Sequence, residues 1–234
     1  NGKLKYDVLD APKTPNKLNI SHLELSNISS HIILNKLDDN NLWLHLKSLS
    51  FSDASGATVK QLAFETKANQ QHATIKDFDL TLSNSYIRFK KLSTNYKLKD
   101  KKLVDNSLKY AIKGFKAEIT PTDFAPLSTN LRNIYTRYSI IVEADGTYRK
   151  LRINHLLINN NAQSTLLHAK GWINNIGSKP NWKFFLNPVK VNNETLNIIA
   201  KLAHQTLPSA LNNLGDLYYK GSISSIRGNL NAHG

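Results

Sequence analysis

The sequence predicts a mainly β protein with an antiparallel sheet and two short helices. Apolar residues alternate with polar ones through most of the first hundred residues, and short turn-forming stretches separate the alternating runs. Only two segments space their apolar residues as a helix does. Because alternate residues of a strand point to opposite faces, this pattern predicts a sheet with one apolar face and one face in water.

The first strong alternating run ends in a change of phase. Every second residue of 42–46 is leucine, and the apolar positions then slip to Leu49 and Phe51. Such a slip indicates a β-bulge or a bend near Ser48, where one extra residue shifts the alternation. Residues 53–56, Asp-Ala-Ser-Gly, follow as a predicted turn, since Asp, Ser and Gly each favour turn geometry.

Four more runs follow at short intervals. Strands joined by short turns pair antiparallel, so these runs predict a meander in which each strand lies beside the next. Their apolar positions are Val59, Leu62, Phe64, Thr66 and Ala68; Ala73, Ile75, Phe78, Leu80 and Leu82; Ile87 and Phe89; and Leu92, Thr94, Tyr96 and Leu98.

The second half combines strands with the two helices. Alternation resumes at Leu108 and slips at Gly114. Capping residues then precede apolar residues at helical spacing, which predicts a helix over 122–133. A second and longer apolar stripe predicts a helix over 194–213, which Pro208 kinks or restarts.

A weak repeat relates the two predicted helices. Each is followed by a strand, a glycine and another strand, with Gly146 and Gly221 at an offset of 75 residues. We therefore divide the chain into a β-meander over 1–104 and a β-rich segment with two helices over 105–234, the second continuous with the first. We expect the whole to be an internal piece of a longer protein.

The chain is strongly basic and has no cysteine. Its 31 Lys and Arg against 17 Asp and Glu give a net charge of +14, so anionic partners such as nucleic acid or lipid headgroups have to be weighed. The lysines are spread along the whole chain, which favours a compositional bias over a dedicated nucleic-acid surface. The absence of cysteine excludes disulfides and thiolate metal sites. No window approaches the roughly eighteen apolar residues of a membrane-spanning helix.

No catalytic or metal-binding motif stands out. None of the eight histidines forms a close pair at metal-ligand spacing, and the sequence has no nucleophile elbow, phosphate loop or dinucleotide fingerprint. We therefore expect a protein that is not an enzyme, with no catalytic residue, no cofactor and no metal ion needed for stability.

Several passages resemble a known family. Residues 42–64 form a strand, then Ser-Phe-x-x-x-Ser-Gly at 50–56, then another strand, and this order is similar to passages of Bacteroidetes-type TamB proteins. Residues 75–85 and 119–127 also resemble that family and its AsmA-like relatives. The resemblance implies a bacterial cell-envelope protein of the periplasm, anchored to the inner membrane through a segment outside these residues.

The resemblance also implies a fold and a function. The sheet would be extended and curled into a half-pipe or taco-like shape with an apolar groove. Such proteins carry phospholipid between the inner and outer membranes and take part in outer-membrane biogenesis beside an outer-membrane barrel partner. This segment would then shield acyl chains without catalysis.

We predict that eleven residues of the first half line the lipid groove, although alternation does not tell which face is concave. A different function also stays open, in which the chain is a scaffold for outer-membrane protein assembly and its sheet edges pair with folding strands by β-augmentation. Nucleic-acid binding, a third alternative that we do not expect, predicts a steep salt dependence. The predicted groove residues are Leu42, Leu44, Leu46, Leu62, Phe64, Ile75, Phe78, Leu80, Leu82, Ile87 and Phe89.

Overall fold

The protein is mainly β, as predicted. Its structure, a computed structural model, describes residues 2–15, 17–99, 102–104, 106–160, 162, 164–202 and 215–234. Within these residues the one α-helix, α1, spans Asn193–Leu202. The strands are β1 Gly2–Asp7, β2 His22–Leu37, β3 Asn41–Asp53, β4 Thr58–Val59, β5 Gln61–Asn69, β6 His72–Thr81, β7 Tyr86–Asn95, β8 Leu98–Lys99, β9 Lys102–Leu103, β10 Lys109–Ile119, β11 Tyr138–Thr147, β12 Lys150–Asn160, β13 Leu166–Asn174, β14 Asn181–Val191, β15 Leu217–Ile226 and β16 Asn229–His233.

The strands form one large antiparallel sheet. Along the sheet the order is β1-β2-β3-β5-β6-β7-β10-β11-β12-β13-β14-β15-β16, with β4 paired to β3. Each long strand therefore lies beside the next long strand of the chain, and the predicted meander is confirmed. β7 pairs with β10, so the sheet passes across the boundary predicted at residue 104. The short β8–β9 hairpin forms a separate small sheet.

The sheet is open. β1 and β16 form its two edges and do not pair with each other. The strand pairing shows neither closure nor curl, so the half-pipe implied by the resemblance is not part of the observed fold.

The helix predicted over 122–133 is wrong. The chain there makes two short 3-10 turns, Pro121–Phe124 and Thr129–Leu131. Pro126 lies between them, and a proline has no N–H for the helical hydrogen bond and clashes with the preceding turn. Asn133 then takes a left-handed backbone conformation with φ of 69°, which ends any helical path.

The second predicted helix is confirmed at its start. α1 begins at Asn193, and the side-chain oxygen of Asn192 accepts the backbone N–H of Thr195 at 3.0 Å as an N-cap. The end of the predicted helix, with Pro208, lies outside the described residues.

Both phase slips appear as irregularities in strand pairing. Between β2 and β3, the register moves by one residue between Leu46 and Ser48, where the bulge was predicted. On β10 the register with β11 shifts between Ile112 and Phe115, and Gly114 has a φ of +66°. A Cβ at Gly114 would lie 2.8 Å from a carbon of the Lys90 side chain, so glycine is required there by both conformation and space.

The described residues do not form a second layer that would bury the sheet. The chain exposes 15171 Å², about 1.4 times the roughly 10,600 Å² expected for a compact monomer of 26.3 kDa. Among the described residues no large side chain is fully buried. The apolar residues that are buried are mostly small: Leu46, Ala117, Tyr138, Ala144, Ala169, Val189, Val191, Ile198 and Ala200.

Three long connections lie at the same end of the sheet, which we call the upper end. They join β1 to β2, β10 to β11 and β14 to β15. In an antiparallel meander the chain reverses at alternate ends, and these three connections all leave strands that run in the same direction. The β2–β3 and β11–β12 turns are short and lie at the opposite, lower end.

Candidate functional site

The predicted groove residues share one face of the sheet, which we call the apolar face. Residues directly opposite each other on neighbouring strands point to the same side. Leu46 of β3 lies opposite Phe64 of β5. Leu80 of β6 lies opposite Leu62 of β5 on one side and Ile87 of β7 on the other. Alternation and register put the other six on the same side: Leu42, Leu44, Ile75, Phe78, Leu82 and Phe89.

The apolar face continues across the rest of the sheet. One row of directly opposite residues runs through every long strand from β2 to β16 and contains no charged side chain. At about 4.8 Å between strands this row extends for about 50 Å. Its members are Leu34, Leu44, Thr66, Ile75, Leu92, Ile112, Ala144, Ile153, Gly171, Phe184, Ile223 and Ala232.

The apolar face is open to solvent near β2. Ile32, Leu34 and Leu37 are 55%, 52% and 68% exposed on this strand. Ile32 lies opposite Leu46, and Leu34 lies opposite Leu44, so these exposed side chains continue the predicted groove surface. A contiguous apolar surface of this kind marks a site of interaction in a soluble domain.

The β1–β2 and β10–β11 connections lie over the apolar face at the upper end of the first half, and we call these two connections the roof. They meet where the N–H of Leu18 donates to the carbonyl of Pro126 at 2.7 Å. Asp123 fastens the roof to the β6–β7 turn, because its carboxylate accepts the backbone N–H and the side-chain amide of Asn84 at 2.7 and 2.9 Å. Charged-group hydrogen bonds of this length are among the stronger ones in proteins.

An apolar cavity of about 290 Å³ lies beneath this roof. The sheet contributes leucines from β2 and β6 and Phe51 from β3, and the roof contributes Phe124 and Leu127. Leu80 and Leu82 of the predicted groove line it. Its volume is close to the lower limit of typical small-molecule sites.

Helix α1 covers the apolar face at the upper end of the second half. Thr195, at its first turn, is buried and shares hydroxyl contacts with Tyr138 of β11 at 3.2 Å and with Thr165 at 2.6 Å. Burial raises the pKa of the Tyr138 hydroxyl, and the nearby Glu194 charge also raises it, against the opposing hydrogen bond with Thr195. This buried polar network fixes where the helix lies on the sheet.

The opposite face of the sheet is polar and carries a row of lysines. Lys91 of β7 lies directly opposite Lys76 of β6 and Lys113 of β10. Like charges placed opposite each other on neighbouring strands destabilise a sheet. The lysines are spread along the sequence, and the pairing of β7 with β6 and β10 brings these three together.

Trp43 also belongs to the polar face. Its indole N–H donates to Glu65 at 2.8 Å, and the Lys67 ammonium lies 3.8 Å from its ring centre. Desolvation opposes ionisation of Glu65, but its hydrogen bonds with Lys67 and Trp43 hold the pKa below the ordinary value. This tryptophan therefore packs within a polar cluster and not on the apolar face.

Two aspartates organise turns. The Asp38 carboxylate accepts the backbone N–H of Asn40 and the side-chain amide of Asn41, which lowers its pKa to about 2. Asp53 is buried, and burial raises its pKa, but its hydrogen bonds from Ser55 and from the backbone N–H of Glu24 outweigh that and hold the pKa below the ordinary value. Both carboxylates have structural partners.

No metal-binding cluster appears in the described part of the chain. No group of three His, Asp or Glu side chains converges there. His155 and His168 do meet edge to face with ring centres 5.2 Å apart on the polar face, but no third ligand joins them.

The prediction missed the second half of the apolar face. Ile140 and Val142 of β11 belong to it, since they lie opposite Ala117 and Phe115 of β10. Ile141, between them in sequence, points to the polar face. Three consecutive apolar residues hide the phase of the alternation, so the sequence could not assign them to a side.

Comparisons of the chain with protein-family models, curated proteins and solved structures find no match. The resemblance to TamB proteins therefore stays a prediction. Among the residues that the structure describes, no helix is long and apolar enough to cross a membrane.

Proposed function

We propose that the apolar face shields phospholipid acyl chains during transport between the inner and outer membranes, without catalysis. The observation that carries this proposal is the uninterrupted row of uncharged residues from Leu34 to Ala232, on a sheet over which the described residues form no complete second layer. A sheet with one apolar face has to cover it with other elements, close on itself or meet an apolar ligand. Within the part of the chain that the structure describes, the roof and α1 cover the upper end of this face and leave the rest uncovered.

The magnitude of the hydrophobic effect supports an acyl ligand. Burying one methylene group stabilises a complex by about 0.8 kcal/mol, so about ten methylenes laid along the face would contribute roughly 8 kcal/mol before the entropic cost of binding. The apolar row is long enough, at about 50 Å, to accommodate an acyl chain across several strands. No charged side chain in this row has to lose its hydration when the chain binds.

The setting of this function is part of the proposal. The resemblance to TamB proteins supports a periplasmic location, an inner-membrane anchor elsewhere in the protein and an outer-membrane barrel partner.

Purification in a mild detergent followed by mass spectrometry of the extracted lipids tests the proposal. We expect phospholipid to accompany the wild-type protein in a reproducible ratio and to fall to background when Leu44 is replaced by Glu. The matched control is His45→Gln, the neighbouring residue that alternation places on the polar face. Equal lipid content in the wild type and both variants would contradict the proposal.

A scaffold for outer-membrane protein assembly is the second candidate. It is favoured by the two edge strands, because every residue of β1 and β16 is exposed and each pairs on one side only within the described part of the chain. Such edges can accept another strand by β-augmentation. A protein free of lipid that still binds an unfolded outer-membrane barrel would support this function over the first.

A further inference from the structure

The polar face bears a second candidate site near the lower end of the sheet. Two neighbouring rows of directly opposite residues cross β7, β10, β11, β12 and β13 there. The first row is Ser93, Ala111, Asp145, Arg152 and Trp172. The second row is Asn95, Lys109, Thr147, Lys150 and Asn174.

These two rows line a depression of about 560 Å³. Its shape follows from side-chain size, since Ser93 and Ala111 are small and lie beside the longer side chains of Lys109 and Arg152. Trp172 forms the wall at the far end. The volume lies within the range of small-molecule sites. The depression lies on the polar face of the sheet.

Three cations and one carboxylate set the electrostatics of the depression. Lys109, Lys150 and Arg152 line it together with Asp145. Asp145 accepts hydrogen bonds from Arg152 at 3.1 Å and from the side-chain amide of Asn154 at 2.7 Å. The Arg152 side chain is 68% exposed, so its planar guanidinium keeps N–H groups directed to solvent.

The lysine row of the polar face adjoins this site. Lys91 and Lys113 lie two residues along β7 and β10 from Ser93 and Ala111, and therefore on the same face. Placing these like charges directly opposite each other on neighbouring strands does not stabilise the sheet. Their position extends the positive potential of the depression toward the centre of the sheet.

We propose that this depression binds an acidic saccharide, a sugar that carries a carboxylate or phosphate group. The cations pair with the anionic group, and the ring of Trp172, which is only partly buried, packs against the C–H groups of a sugar ring. Asp145 and the side-chain amides of Asn95 and Asn174 form hydrogen bonds with sugar hydroxyls, which both donate and accept. This site is independent of lipid binding on the apolar face.

The carboxylate distinguishes this ligand from nucleic acid. A phosphate backbone presents only acceptors to the protein and cannot donate a hydrogen bond to the Asp145 carboxylate, whereas sugar hydroxyls can. Non-specific binding of single strands also uses several stacking aromatics along a groove, whereas the aromatic residues that line this depression are Trp172 and Tyr110.

Titration of the isotope-labelled protein at low salt tests the proposal. The three tryptophans give three indole N–H signals in an NMR spectrum, and substitution assigns the one from Trp172. The probes are trigalacturonate and glucose 6-phosphate, with maltotriose as the neutral sugar. We expect an acidic sugar to shift the Trp172 signal and maltotriose to bind at least about tenfold more weakly, because a charge-assisted contact is missing.

Matched variants localise the binding. Trp172→Leu should weaken the acidic sugar about tenfold, and Lys150→Gln should weaken it several-fold and reduce its salt dependence. Trp43→Leu and Lys47→Gln, on the same face but near β3, should leave the affinity unchanged. The thermal unfolding of Lys150→Gln is compared with that of the wild type. If the two agree, the weaker affinity of the variant reports a loss of binding and not a loss of folding.

Three results would overturn the proposal. The first is the absence of any Trp172 shift with both acidic sugars. The second is inorganic phosphate binding as tightly as glucose 6-phosphate, which would indicate an anion site without sugar recognition. The third is an oligodeoxythymidylate that binds more tightly at the same residues, which would assign the surface to nucleic acid.

Discussion

Phe78 and Phe89 face each other across β6 and β7 with ring centres 4.6 Å apart and ring planes 2° from parallel. Phe64 on β5 continues this stack with its ring centre 6.3 Å from that of Phe78. Cross-strand aromatic pairs stabilise a sheet, each by roughly 0.2 to 1 kcal/mol. All three rings stay half-buried, because the described residues form no layer over them. The stack therefore stabilises the sheet and offers apolar surface at the same time.

Replacing Phe64 with Glu should abolish lipid capture. A carboxylate on the apolar face would have to be desolvated under any acyl chain that covers it, which costs more than the lost ring contacts. Displacement of a fluorescent fatty acid measures the effect. Lys76→Gln on the polar face is the control, and it should leave displacement unchanged. A Phe64→Glu protein that still folds, as judged by circular dichroism, and binds like wild type would contradict the proposed face.

Asp53→Asn should lower the free energy of unfolding by about 2 kcal/mol at neutral pH, because an amide oxygen replaces a charged acceptor of two backbone N–H groups. The folded-state pKa of Asp53 lies below its ordinary value of 3.8. Its stabilisation is therefore complete above about pH 4 and is lost as the pH falls through the folded-state pKa.

Urea unfolding at pH 7 and at pH 3 checks this expectation. The difference between the wild type and Asp53→Asn should be largest at pH 7 and smaller at pH 3. Asp39→Asn, at an exposed position in the β2–β3 turn, is the control and should change little at either pH. An equal difference at both pH values would show that the Asp53 charge is not what stabilises the turn.

The sheet could be predicted from the sequence because its signal is local. Leucine at every second position of 42–46 fixes one face, and the slips near Ser48 and at Gly114 mark real bulges. The prediction of a helix over 122–133 was wrong because apolar spacing alone does not reveal that Pro126 interrupts the helical hydrogen bonds. The lysine row and the depression around Trp172 could not be predicted, since they depend on register between strands that lie far apart in sequence.

Asp123→Ala should loosen the roof. The carboxylate holds the β10–β11 connection to Asn84 through two hydrogen bonds, and without it the roof keeps its backbone, hydroxyl and apolar contacts. We expect faster hydrogen exchange of amides in residues 121–131 and a loss of about 1 to 2 kcal/mol of stability. Asp39→Ala, at an exposed position in the β2–β3 turn and outside the roof, provides the control. Unchanged exchange in residues 121–131 would show that Asp123 does not fasten the roof.

Thr195→Val should destabilise the docking of α1. The substitution keeps the side-chain shape but leaves the buried hydroxyls of Tyr138 and Thr165 without their shared partner, at a cost of about 1 to 3 kcal/mol. Combining it with Tyr138→Phe should cost less than the sum of the two changes, because the second partner is then also removed. Thr129→Val, at an exposed position, serves as the reference. Strict additivity of the pair would argue against the hydroxyl network.

The central claim is that the apolar face meets lipid, and site-specific photo-crosslinking in cells tests it most directly. A photoreactive amino acid replaces Phe64, Leu80 or Phe89 on the apolar face, or Lys76 on the polar face. We predict that each of the three apolar positions labels phospholipid and that Lys76 does not. If all three apolar positions label only protein, the face is covered by a protein partner, and the lipid-shielding account is contradicted.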